Sequence, residues 1–276
     1  MRSAEPSLTF AVAGAAERFL AGGGVADATV TAAWGDLSHR VAGEEIFDSS
    51  GLWKLYDEDG DYVFRFTSPG YGEHSYKEAR FNPDFTQGEV TLHADYFDPG
   101  KPAFPLEYPL DELLVTNLLA RGRGVEVHAL GIRDVDGRGY LFLGHSGAGK
   151  STTARLWEGT GALVLSDDRI ILRALQGKVW MYGTPWHGEE KLAAPERTEL
   201  TRIFVLGRGD ENELLSLAPP QAVAELFTRS FVPFYDAAAL GYTLEVLQQV
   251  AGAVACAELR FVPDRRVVEF VRECAS

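Results

Sequence analysis
Around Tyr62 and again around Val90 the chain alternates along its length: Tyr62, Phe64 and Phe66 are separated by Val63 and Arg65, and Val90 and Leu92 repeat the pattern. A period of two marks strands with one buried face, and Asp59-Gly60 is a hairpin turn pair between two of them. The acidic run Asp57-Glu-Asp-Gly-Asp61 has the charge of a calcium loop but not its form. Tyr62 stands where that loop needs a glycine and Ser68 where it needs its closing Glu, so the run reads as a solvated turn.

The period then changes. Leu110, Leu113, Leu114 and Leu118 share one helical face, Pro109 suits the first turn, and Gly122 and Gly124 end the run. Two strands are predicted next, over 124–132 and 140–143, turning at Asp136-Gly137. A helix over 150–158 follows, then a buried strand over 162–166 and a hairpin of 169–174 and 179–182 around Gly177. Residues 203–206 form another buried strand. Leu240, Leu244, Leu247, Val250 and Val254 predict the apolar stripe of a long helix. A strand over 258–262 precedes a last helix, capped by Asp264 and carrying Val267, Val268 and Val271. Prolines 99, 102 and 105 break the chain between these two regimes, because proline fits neither a helix interior nor a central strand. The expected organisation is a β-rich N-terminal domain over 1–105 and an α/β domain with a mixed sheet over 106–276. No internal repeat is present.

Composition narrows the class of partner. With 40 acidic and 26 basic residues among 276, the net charge is −14, which repels nucleic-acid phosphate and anionic lipid. Neither a nucleic acid nor a membrane is therefore expected. Cys256 and Cys274 have no metal-ligand spacing and form no disulfide framework, as expected of a cytoplasmic protein. The apolar stretch Leu8–Ala16 runs into Glu17 and Arg18 with only Arg2 ahead of it, too weak for a signal peptide and too short for a span.

The chemistry concentrates after residue 140. Gly144-His145-Ser146-Gly147-Ala148-Gly149-Lys150-Ser151 fits G-x-x-x-x-G-K-[ST] and lies between a predicted strand and a predicted helix. Glycines let successive backbone N–H groups turn inward onto phosphate oxygens, and the helix N-terminus adds positive charge. Lys150 would neutralise the β- and γ-oxygens, the Ser151 hydroxyl would bind Mg²⁺, and Thr152 continues the cradle. Seventeen residues beyond Lys150, the run Leu163-Val-Leu-Ser ends in Asp167-Asp168. One carboxylate can serve the metal and the other accept a proton, or one is merely a loop cap. His128, on the strand before the phosphate-loop strand, is either a structural histidine or lies near Asp167 to orient it. In Gly183–Lys191, Trp186 can pack a substrate or anchor the loop, and Glu189 or Glu190 can join the metal. Arg197 and Arg202 are phosphate clamps or solvated surface.

In this order, His128, the glycine-rich loop to Thr152, and Leu165-Ser-Asp-Asp-Arg169 resemble the catalytic domain of the HPr kinase/phosphorylase family. Its phosphate loop is related to that of ATP-dependent phosphoenolpyruvate carboxykinase. The resemblance spans about 108–276, and the separation of Lys150 from Asp167 agrees with it. It implies ATP and Mg²⁺ as cofactors, with Asp167 as proton acceptor, His128 beside it, and Asp168 and Ser151 at the metal. The implied reaction moves the γ-phosphoryl group to a hydroxyl of a small molecule or of a peptide or protein serine. A nucleotide-binding switch or scaffold without transfer, or carboxykinase-like chemistry, are the alternatives. The sequence leaves room for a homo-oligomer.

Overall fold
The computed structural model describes residues 1–38, 43–71 and 74–274. By contacts the chain divides into two units, Met1–Val12 with Ala21–Leu118, and Ala13–Leu20 with Leu119–Ser276.

The first unit is built on a seven-stranded sheet. Its strands are β1 (Arg2–Ser3), β2 (Thr29–Gly35), β3 (Glu44–Asp48), β4 (Trp53–Glu58), β5 (Asp61–Thr67), β6 (Ser75–Phe81) and β7 (Gln87–His93). They lie in the order β1-β2-β7-β6-β5-β4-β3, and β2 runs parallel to both β1 and β7. Asp59 and Gly60 turn β4 into β5 with φ of 57° and 90°, the conformation a tight hairpin asks for. Gly60 N–H donates to Asp57 Oδ1 at 2.9 Å, so the acidic run works as a turn. Phe64, Phe66, Phe81 and Phe85 are fully buried and build the aromatic core. The proline-bearing segment 98–105 lies in this unit, followed by α1 (Leu110–Leu119).

The second unit holds a mixed nine-stranded sheet. Its elements are β8 (Val125–Arg133), β9 (Gly139–Leu143), α2 (Lys150–Trp157), β10 (Leu163–Ser166), β11 (Arg169–Leu175), β12 (Lys178–Gly183) and β13 (Arg197–Arg208). β14 (Glu213–Ser216), α3 (Pro219–Phe227), β15 (Ser230–Phe231), α4 (Ala237–Ala253), β16 (Ala255–Phe261) and α5 (Arg266–Cys274) complete it. The strands are covered on both faces, so they read as near-continuous apolar runs. Leu141, Leu143 and Ile203 pack with Leu226, Leu247 and Val250 of α3 and α4. Tyr140, Phe142 and Phe204 face the other way, onto Trp157 of α2 and Val267, Val268 and Val271 of α5.

Two features of this sheet position chemistry. β9, β13 and β16 are parallel neighbours, pairing Leu143 with Val205 and Arg208 with Phe261, so their carboxyl ends lie side by side. β8 changes partners midway on both edges: Val125–His128 pair with β11 and, opposite it, residues 126–127 with β15, while Ala129–Arg133 pair with β9 and, opposite it, residues 131–133 with β10. His128 is the last residue before the change.

The long-helix expectation needs one correction. α4 buries Ala239, Thr243, Val246, Leu247, Val250 and Ala251, whereas Leu240 and Leu244 are only half-buried. The small residues Ala239 and Thr243 occupy the contact line, with the Thr243 hydroxyl donating to Ala239 O at 2.9 Å inside the helix.

Candidate functional site
The loop from Gly144 to Gly149 leaves the carboxyl end of β9 and enters α2 at Lys150. Gly149 has φ of 111°, which a side chain resists, and caps the helix without any side-chain hydrogen bond. The first turn of α2 thus has no side-chain cap on its N–H groups. At Gly144 an added Cβ would stand 2.7 Å from the Ala148 Cβ, so the loop can close this tightly only with glycine there. Lys150 is buried, and its Nζ donates to the Gly144 carbonyl at 2.7 Å. Burial pushes its pKa below the usual lysine value; Asp168 opposes that shift and Arg229 adds to it. Lys150 therefore lies within electrostatic reach of both an acid and a second cation.

The two aspartates at the end of β10 have different surroundings. Asp167 is buried, and both of its oxygens accept backbone N–H groups, Oδ1 from Gly188 at 2.9 Å and Oδ2 from Glu190 at 3.0 Å. Asp168 places Oδ1 at 3.1 Å from His128 Nδ1, and its Oδ2 pairs with the Arg169 guanidinium. His128 therefore lies beside Asp168, not beside Asp167 as expected from the sequence. Register explains the difference: β8 pairs His128 with Arg169, and Ala129 N–H donates to the Asp168 carbonyl at 2.9 Å. Burial, the largest influence on Asp168, raises its pKa. The His128 hydrogen bond and the Arg169, His128 and Lys150 charges outweigh it, and the carboxyl is held below its usual value.

Arg229 was not singled out by its sequence context. It is buried, with Nη1 donating to Glu225 Oε2 at 2.6 Å and to Glu225 O at 2.7 Å. Its Nη2 lies 3.0 Å from His145 Nε2 in the glycine-rich loop, and its Nε has no hydrogen-bond partner among the described residues. Since guanidinium only donates, His145 Nε2 is the acceptor. The Arg229 carbonyl takes the His128 N–H at 2.7 Å, which ties this arginine to the same point of β8. The visible sequence signal, Glu225 four residues before Arg229, reads as an ordinary solvated helix pair.

The loop of residues 183–191 folds against these groups. Ser166 Oγ donates to the Trp186 carbonyl at 2.8 Å, and Glu190 pairs with Arg155 at 3.2 Å. Glu189 is left exposed to a cavity of about 400 Å³ that it lines together with His128, Lys150, Ser151 and Asp168. Arg197 stacks on the Trp180 ring at 4.8 Å and Arg202 donates to the Cys274 carbonyl at 2.9 Å, so neither is turned to this cavity. Mg²⁺ is ordinarily held by oxygen, through one or two carboxylates together with substrate phosphates. Ser151, Asp167, Asp168 and Glu189 bring oxygen donors to the same cavity. Among the described residues no three acidic, histidine or cysteine side chains converge as a ready-made metal site. Nor, among them, is any helix long and apolar enough to cross a membrane.

No family model matches the chain, and no curated protein matches it. Solved structures do match, among them the HPr(Ser) kinase/phosphatase from Coxiella burnetii, with a TM-score of 0.34 and 12% identity. The match covers 54% of this chain and 95% of that one. A likeness of that size leaves the chemistry to be read from the residues themselves.

Proposed function
We propose that this protein is an ATP-dependent phosphotransferase that moves the γ-phosphoryl group to a hydroxyl of a small molecule or of a peptide or protein serine. The observation that carries this reading is a single cavity shared by Lys150 of the glycine-rich loop and the His128–Asp168 pair. The loop N–H groups and Lys150 hold the phosphates, Lys150 exchanging the Gly144 carbonyl for phosphate oxygen. Arg229 adds positive charge behind His145. Ser151, with Asp168 and Glu189, would hold Mg²⁺, which when bound would neutralise charge on the transferring group.

Proton removal falls to His128. Its Nδ1–H points to Asp168, which leaves Nε2 as the acceptor lone pair, while Asp167 holds the loop of residues 183–191 through the Gly188 and Glu190 N–H groups. The acceptor O–H gives its proton to Nε2, its oxygen bonds to the γ-phosphorus, and the bond to the β–γ bridging oxygen breaks to release ADP. Such a reaction suits a protein working where ATP and Mg²⁺ abound, in the cytoplasm.

Incubation with Mg·ATP, with and without metabolite or peptide extracts, tests the reading by ADP release. Turnover that requires an extract and drops by about 10²–10³ in Lys150→Ala, the effect of losing about 3–4 kcal/mol of transition-state stabilisation, is the expected result. Tight ATP binding with no turnover under any extract would instead identify a nucleotide-dependent switch.

A further inference from the structure
The phosphate loop has a second open side. Next to the cavity of His128 and Lys150 lies another of about 480 Å³, walled by the other side of the same loop. The two share Gly147, Gly149 and Thr152, so they meet across the loop. The second cavity contains no part of the histidine–aspartate pair. Its further walls are Gly207–Asp210, at the end of β13, and Phe261 and Pro263, at the end of β16.

We infer that this cavity takes the nucleoside end of the nucleotide, an inference that rests on the phosphotransferase reading. Three observations converge on it. The first is polarity along the loop: Lys150 and Ser151 face one cavity, while Thr152 and Gly147 also face the other. A triphosphate lying along the loop with its terminal phosphate at Lys150 must project its other end towards Gly207–Asp210. The second is topology. Gly144, Gly207 and Phe261 stand at the carboxyl ends of three adjacent parallel strands, and crevices outside such ends are where open α/β sheets bind ligands.

The third is chemistry. The volume falls in the range of about 300–1,000 Å³ usual for small-molecule sites. Phe261 and Pro263 provide an apolar floor, and the Phe261 ring comes to 3.4 Å from where a Gly149 Cβ would stand. That is ordinary van der Waals contact, so the floor lies directly against the loop. Arg208 and Asp210 are exposed at the rim, one a donor and the other an acceptor only. One donor and one acceptor side by side suit the hydroxyls of a ribose and the polar edge of a base. The turn carrying them is firmly seated: a Cβ at Gly207 would meet Glu258 Oε1 at 2.8 Å, and one at Gly209 would meet the Glu211 carbonyl at 2.9 Å.

Binding of Mg·ATP and of Mg·tripolyphosphate, measured by calorimetry, separates this inference from the reading it rests on. Wild-type protein should bind ATP more tightly than tripolyphosphate, with both lost in Lys150→Ala. Asp210→Ala and Arg208→Ala, both at exposed positions and expected to fold, should each weaken ATP about three- to tenfold, the effect of one hydrogen bond, and leave tripolyphosphate unchanged. Should ATP and tripolyphosphate bind equally and through Lys150, or should both rim variants bind ATP normally, the nucleoside lies elsewhere and the phosphate cradle stands. An absence of any Lys150-dependent binding overturns the cradle and the nucleoside site together.

Discussion

A carboxylate does chemistry only with the lone pairs its neighbours leave it. Asp167 and Asp168 are adjacent on the chain, yet the backbone N–H groups of Gly188 and Glu190 claim the first while His128 and Arg169 hold the second. In Asp168→Asn the replaced group has no charge to hold the His128 tautomer. Extract-dependent ATP turnover should then fall by about 10²–10⁴-fold, the usual worth of a positioned base. His128→Ala should fall by a similar amount, and combining the two should add little, because they act as one unit. Single-turnover transfer by the two single variants and the double variant checks the assignment: if His128→Ala transfers at near the wild-type rate, another group is the base. The place of the loop from Gly144 to Ser151, between a strand and a helix, was legible because residue types at fixed spacing are a local signal. The partner of His128 was not legible, because it depends on strand register, and a slip of one residue exchanges Asp167 for Asp168.

At the level of elements, most strands and helices follow the apolar pattern. The hairpin expected around Gly177 forms with Gln176 and Gly177 at φ of 53° and 76°. What the pattern could not show is where one strand changes partners. β8 reads as a single apolar run, but both of its edges change partners about His128, from β11 and β15 to β10 and β9, and at that point it meets the Asp168 and Arg229 backbones. Nor could it show how the segment from Trp186 to Glu190 is held. No regular element contains it; side chains of β10 and Asp167 fix it, through Ser166 to the Trp186 carbonyl and Asp167 to two N–H groups. Asp167→Ala removes two hydrogen bonds to a charged acceptor, each worth about 1.5–3 kcal/mol. The loop should open at least about tenfold more often, read as faster tryptic cleavage after Lys191 at low protease, while the sheet signal in circular dichroism is kept. Cleavage at the wild-type rate would mean that Asp167 does not anchor this loop.

Across the whole molecule, the excess of acidic residues is met at the glycine-rich loop by two buried cations, Lys150 and Arg229. A third buried cation lies in the first unit, in a setting with no such use. Lys77 is fully buried, its Nζ 4.8 Å from the Phe66 ring centre and 3.2 Å from the Glu107 carbonyl. Burial lowers its pKa from 10.5 to about 8, with Glu107 and Asp111 only partly opposing this. The unfolded chain thus keeps this proton up to its ordinary value, while the folded chain gives it up near pH 8. Between those pH values the unfolded state holds more protons, so this group makes stability rise with pH, and its penalty is fully present below the lower value. Tyr76, pushed up to about 12, and Cys256, pushed up to about 11, act with the opposite sign once they titrate in the unfolded chain. The comparison is therefore cleanest between about pH 7 and 9. Lys77→Met keeps the length and apolar stem of the side chain and leaves Glu107 to solvent on its half-exposed side. Denaturant melts at pH 7 should show the variant more stable by about 1–3 kcal/mol, with a gain that shrinks towards pH 9. A variant that is less stable at pH 7, or whose gain does not vary with pH, would show that Lys77 is held charged by its carboxylate neighbours rather than pressed towards neutrality by its burial.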